Sequence, residues 1–193
     1  MADDSNRWHN PRYTSASPRE ERPAMPRRVP QYSFPPFSYV PGLFPRTSTR
    51  EGSGFDLAAL PPAMHDDWQG SDLFRFGIDL FNHGYYWEAH EAWEQVWHAL
   101  GRAGGDADFV KGLIKLAAAG VKAREGRGAG VASHSRRAGE LFTAAQASGS
   151  PRLETMPLAR LLAYAAKIAA QPETYVNTSN DPVIGVFEEL PLA

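Results

Sequence analysis

The chain has 193 residues, 22% of them charged, with no cysteine and a formal net charge of −2 at pH 7. That length allows one domain plus a tail. The lack of cysteine excludes disulfides and thiolate metal sites, leaving His and carboxylate as donors, a set suited to a divalent metal such as Zn, Fe or Mn.

No apolar run approaches the roughly 18 residues of a membrane span. The start Met1-Ala2-Asp3-Asp4-Ser5 carries no hydrophobic signal region, so a cytoplasmic protein is expected. Charge is unevenly placed: residues 1–50 hold eight Arg against four Asp/Glu, which leaves the remainder at −6. A globular part of that sign makes nucleic acid an unfavourable partner.

Residues 1–30, rich in Pro, Arg and Ser, bury too little surface to order themselves and are expected to be a disordered basic tail. Over 31–67, Tyr32, Phe34, Phe37, Tyr39, Val40, Leu43 and Phe44 interleave with Pro35, Pro36, Pro41 and Pro45. Proline excludes helix and sheet interior, while the aromatics need cover, so an extended arm laid over the body is expected.

Five helices follow, within a domain expected over 68–172. The first, about 68–82, aligns Leu73, Phe76, Leu80 and Phe81, and Gly84 is placed to take a left-handed cap. The second spans about 85–100 and stops at Gly101. The third, about 107–125, has N-cap candidates in Asp106 and Asp108. It stacks Phe109, Leu113, Leu116, Ala117 and Gly120 on one side and Lys111, Lys115 and Lys122 on the other. The fourth, about 129–147, follows Gly126-Arg127-Gly128 and carries Val131, His134, Ala138, Leu141, Phe142 and Ala145. The last, about 157–170, carries Leu158, Leu161, Leu162, Ala165 and Ile168 and closes at Pro172. A C-terminal tail, 173–193, follows, and its last part, Asp181 to Ala193, is short and mixed and is assigned no structure. Short connections make successive helices antiparallel neighbours, so the expected fold is an all-α, up-and-down bundle.

The second helix is the most informative stretch. At 100° per residue, Tyr86, Trp93 and Trp97 share one face, His90 lies beside them and Glu94 one turn further along that edge. Glu88, Glu91 and Gln95 fall on the opposite, wettable side. The run from Phe81 to Trp97, with His90, Glu94 and Trp97 in a His-x-x-x-Glu-x-x-Trp pattern, resembles the DUF309 family of helical bacterial and archaeal proteins. The resemblance extends through Gly112–Ala119 and Arg137–Leu141. It implies a helical domain with a candidate metal site and no named reaction. The stretch Tyr39–Pro45 is similar to an N-terminal extension of longer members that carry histidines shortly after it. This chain has Arg46 and Ser53 there, which implies that any site using those histidines is incomplete.

Several readings of the pair remain open. His90 and Glu94, four apart on one face, are a usable metal-ligand pair. His134 is the best third ligand, ahead of His83 and Glu91, and His98 continues the series towards solvent. The pair equally serves as a structural polar clasp against the indoles. Glu88, Glu91 and Glu94 near a histidine offer acid–base groups, although no serine elbow, phosphate loop or His-Glu-x-x-His signature is present. A non-catalytic interaction or scaffold module is the alternative to a metal or small-ligand site. Its partner would be a protein or a second copy, met by the arm, the lysine stripe or Arg136/Arg137, with the arm itself filling a groove in cis.

Overall fold

A computed structural model describes residues 25–46 and 55–187; the basic stretch 1–24 lies outside them. The body is the expected all-α bundle: α1 Asp72–Asn82, α2 Tyr86–Ala99, α3 Gly105–Arg124, α4 Gly128–Ala147 and α5 Leu158–Ala170. Each helix packs chiefly on its chain neighbours. Among the described residues there is no strand, only an isolated antiparallel bridge between Val40 and Phe44. No described helix is long and apolar enough to cross a membrane.

Local signals explain the helix ends. Ser71 Oγ accepts from Phe74 N at 3.2 Å and caps α1, a contribution of about 1 kcal/mol. Gly84 ends the α1–α2 turn at φ +87, and a Cβ there would also meet the Ile184 carbonyl oxygen at 2.6 Å. The turn therefore needs glycine both for its left-handed backbone and for the chain crossing it. The expected N-caps of α3 are corrected. The cap is Gly104 and no side chain caps it, so Asp106 and Asp108 lie in the first turn, where the helix dipole favours anions. Asp106 instead accepts from Trp68 Nε1 at 3.2 Å and Ser150 Oγ at 2.5 Å, tying this end to the neighbouring loops.

The core runs through all five helices and includes Trp68, Phe76, Tyr86, Trp93, Phe109 and Phe142, all at most 2% exposed. Such aromatics dominate the apolar area removed from water. Trp93 Nε1 donates to the Phe74 carbonyl at 3.2 Å, so its one polar atom is satisfied. Gly120 of α3 lets the Tyr86 ring approach closely: a Cβ there would lie 2.4 Å from the Tyr86 ring.

Two segments without regular structure lie on this bundle. Residues 25–46 lie along α1 and α2. Phe34 packs near Phe76, His83 and Tyr85, and the Arg27 guanidinium sits 3.9 Å above the Phe34 ring. Tyr32 donates to Asp72 at 2.5 Å. The second segment is the C-terminal stretch, whose last part, from Asp181, carries no structural signal in the sequence. It follows the 3₁₀ turn Pro172–Tyr175 and returns along α3. Asn177 N donates to the Ala123 carbonyl at 3.1 Å, and Arg124 donates to the carbonyls of Ser179 and Asp181 at 3.1 and 3.0 Å. Phe187, 4% exposed, enters the core beside Phe81, Tyr86, Tyr164 and Tyr175. The two segments meet where Ser38 N donates to the Pro182 carbonyl at 3.0 Å.

Candidate functional site

Helix α2 is covered on most of its circumference. Tyr86, Ala89, Ala92, Trp93 and Val96 face the core and are buried. The side expected to be wettable departs from that reading at Glu88, which is fully buried. Its carboxylate accepts from Ser38 Oγ at 2.7 Å and from Tyr39 N at 2.9 Å. An ionisable group without contact with water must have its hydrogen bonds supplied, and here the proline-rich arm supplies them. Glu88 is thus an anchor for the arm.

Asp79 of α1 does the same one stretch earlier. It is 1% exposed and accepts from Arg28 N at 2.8 Å and Val29 N at 3.0 Å, with Arg27 Nε 3.7 Å away. Tyr86 anchors the other segment: its hydroxyl accepts from Val186 N at 2.8 Å and Phe187 N at 3.0 Å. The sequence reading missed Asp79 altogether. The available signal was a carboxylate among apolar residues on a strongly amphipathic helix.

Glu91 is also less exposed than the wheel suggests. Burial pushes its carboxyl above the ordinary value, opposed by the nearby Arg46. Arg46 in turn lies over both Trp87 and Tyr39, 5.3 and 5.6 Å from their ring centres.

The remaining edge of α2 carries His90, Glu94 and Trp97, as the spacing predicts. The His90 ring stacks on Trp87, centres 5.6 Å apart and planes at 10°. His90 Nδ1 is buried, has no hydrogen-bond partner and lies 3.9 Å from Glu94 Oε2. The other Glu94 oxygen lies 4.0 Å from Lys111 Nζ. These distances exceed a hydrogen bond, so a clasp held by a direct imidazole–carboxylate bond is not formed in this geometry. The Lys111 ammonium sits 3.7 Å above the Trp97 ring, a cation–π contact. Arg102, 5.7 Å from that ring centre, also pairs with exposed His98 at 3.2 Å.

The expected lysine stripe is not simply the wet face of α3. Lys111, Lys115 and Lys122 are half-buried, and they act on two histidines. Burial first, then Lys111 and Lys115, pull His90 below its ordinary value, while Glu94 opposes them. Burial and then Lys115, Lys122 and His90 do the same to His134 of α4. Lys122 is itself paired with Glu125 at 2.8 Å.

Of the expected metal ligands, His90 and Glu94 are neighbours. His134 shares only Lys115 with His90 and makes no hydrogen bond or ion pair to His90 or Glu94. His83 lies at the end of α1, its Nδ1 2.7 Å from the Asp79 carbonyl. Among the described residues, no three His, Asp or Glu side chains form a group able to hold a metal ion.

Beside Glu94 is a cleft of about 320 Å³. One wall is α2, through Glu91, Glu94, Gln95 and His98; the other is the turn Phe55, Asp56, Leu57 and Ala58. Phe55 and Leu57 make part of it apolar, and three carboxylates, of Asp56, Glu91 and Glu94, give it an acidic rim. Asp56 is partly engaged, since its side chain accepts from Ala58 N at 2.8 Å. The Glu94 carboxylate makes no hydrogen bond among the described residues and is 41% exposed.

Residues 74–133 match the model of a family described as Domain of unknown function (DUF309). The matched segment runs from α1 through α2 and α3 into α4 and stops one residue before His134. No curated protein and no solved structure matches the chain.

Proposed function

Residues 74–133 belong to the DUF309 family, and we propose that this domain binds a small ligand at Glu94, in the cleft between α2 and residues 55–58. The observation that carries the proposal is the Glu94 carboxylate. It is flanked at about hydrogen-bond distance plus one ångström by His90 and Lys111, has no hydrogen bond among the described residues, and borders a cleft large enough for a small organic molecule. Ligand sites combine an apolar wall with a few convergent polar groups, and Phe55, Leu57, Glu91 and Glu94 supply both.

The acidic rim favours a small organic cation such as a primary amine. Its ammonium would donate to Glu94, and its apolar part would rest on Phe55 and Leu57. A divalent metal would need ligands beyond His90 and Glu94. Burial holds the His90 imidazole below its ordinary value, with Glu94 opposing.

The test is a titration of the uniformly ¹⁵N-labelled protein with n-butylammonium and, separately, with Zn²⁺ and Mn²⁺. It is followed at the Gln95 side-chain amide and the backbone of residues 55–58, with Glu94→Gln as control. Saturable shifts with butylammonium that are lost in Glu94→Gln support the reading. Tight, stoichiometric metal binding lost in His90→Ala would instead make the pair a metal site. If neither probe binds and both variants lose several kcal/mol of stability, the pair is architectural.

A further inference from the structure

A second cleft, lined by none of the residues of the first, has the reverse chemistry. It encloses about 190 Å³ between α1, α3 and the start of α5. Its floor is built by Phe74 and Ile78 of α1, Phe109 and Leu113 of α3 and Leu161 of α5. All five are buried, between 2% and 6% exposed. Met156 and Pro157 close one side, and no acidic residue lines it.

Two arginines stand at its mouth. Arg75 projects from the solvent side of α1, one helical turn from Ile78. Arg28 is held in place because its backbone N–H donates to buried Asp79 at 2.8 Å. Both side chains are exposed, and neither guanidinium has a hydrogen bond or ion pair with another described residue. Two guanidinia without a partner among the described residues, set over an apolar floor, are complementary to a molecule with an anionic head and a compact apolar body. Guanidinium and carboxylate match as planar, charge-assisted partners. An apolar cavity of about 150 Å³ is known to accept benzene, so this one suits a single ring or a short branched chain.

We propose that this cleft binds a small aromatic or branched aliphatic carboxylate, its carboxylate between Arg28 and Arg75 and its apolar part on Phe74, Phe109 and Leu161. The site is separate from the one at Glu94 and selects for the opposite charge.

Met156 supplies a local reporter, because the chain has only four methionines. The full-length protein is labelled at the methionine methyl carbons, the Met156 resonance is assigned by Met156→Leu, and benzoate is titrated beside neutral benzamide. The expected result is a saturable shift of the Met156 methyl with benzoate, and binding of benzamide at least about tenfold weaker. Arg28→Gln/Arg75→Gln should weaken benzoate by about tenfold or more, the loss of charge-assisted hydrogen bonds, and leave benzamide unchanged. Both arginines are exposed and their guanidinia make no hydrogen bond or ion pair among the described residues, so that variant retains the helical circular dichroism of the parent. A Met156 methyl that does not respond to benzoate overturns the proposal. Equal binding of benzamide, or benzoate binding indifferent to both arginines, does so too.

Discussion

Replacing Glu88 by Ala tests the idea that buried carboxylates on the bundle hold the arm. The side chain is fully buried. Its removal takes the acceptor from Ser38 Oγ, itself 4% exposed, and from the Tyr39 backbone N–H. Each donor left without a partner out of reach of water costs about 1–3 kcal/mol, and the space vacated by the side chain adds about 1 kcal/mol. Some of this is recovered if the arm lifts and water enters. The expected loss is therefore about 3–5 kcal/mol, a large part of a typical domain's stability of about 5–15 kcal/mol.

Glu88→Gln keeps one acceptor oxygen and places an amide where the Ser38 hydroxyl can rotate to accept. It should cost only about 1–2 kcal/mol. Urea unfolding followed by tryptophan fluorescence gives both numbers. Ser38→Ala in a double-mutant cycle isolates the Ser38 contribution, expected at about 1–2 kcal/mol of coupling. Limited trypsin digestion should show earlier cleavage at Arg46 in Glu88→Ala. A Glu88→Ala protein within about 0.5 kcal/mol of the parent, with unchanged digestion, would refute the reasoning.

Gly120→Ala should destabilise by about 1–2 kcal/mol in urea unfolding: the added methyl meets the Tyr86 ring at 2.4 Å, and that overlap outweighs the roughly 1 kcal/mol of helix propensity gained. Tyr86→Phe removes the acceptor for Val186 N and Phe187 N and should cost about 1–3 kcal/mol, with faster hydrogen exchange confined first to those two amides. Burial holds His90 and His134 below the ordinary histidine value of 6.5, so the unfolded chain binds protons more readily than the folded one between the folded value and 6.5. Their contribution to stability is complete above that range and falls as pH drops through it; His134→Gln should flatten this part of the stability profile measured by urea titrations between pH 7 and 4.5. His90→Gln and Glu94→Gln should each change stability by less than about 1 kcal/mol, because a half-exposed pair at 3.9 Å is a weak interaction.

Much of the bundle was legible because helix formation here is governed by local signals. Apolar residues repeat at the helical period from Leu73 to Ile168. Glycines interrupt that period at Gly84, Gly101 and Gly126, all with positive φ, and Pro172 closes the last helix. The proximity of His90, Glu94 and Trp97 followed from the same geometry, since residues four apart on a helix are neighbours whatever surrounds them. Only the tertiary structure decided which helix faces are covered. The wheel set Glu88 on the side away from the indoles, and its charge argued for water. The hydrogen bonds that offset its burial come from Ser38 and Tyr39, about 50 positions earlier. Asp79 is paired over a similar separation with Arg28 and Val29, and Phe187 reaches the core over a greater one, through the Tyr86 hydroxyl. Periodicity and capping are carried by residues three or four apart. The burial of a polar group is decided by whichever distant segment brings it a donor, and two segments without periodicity of their own did so here.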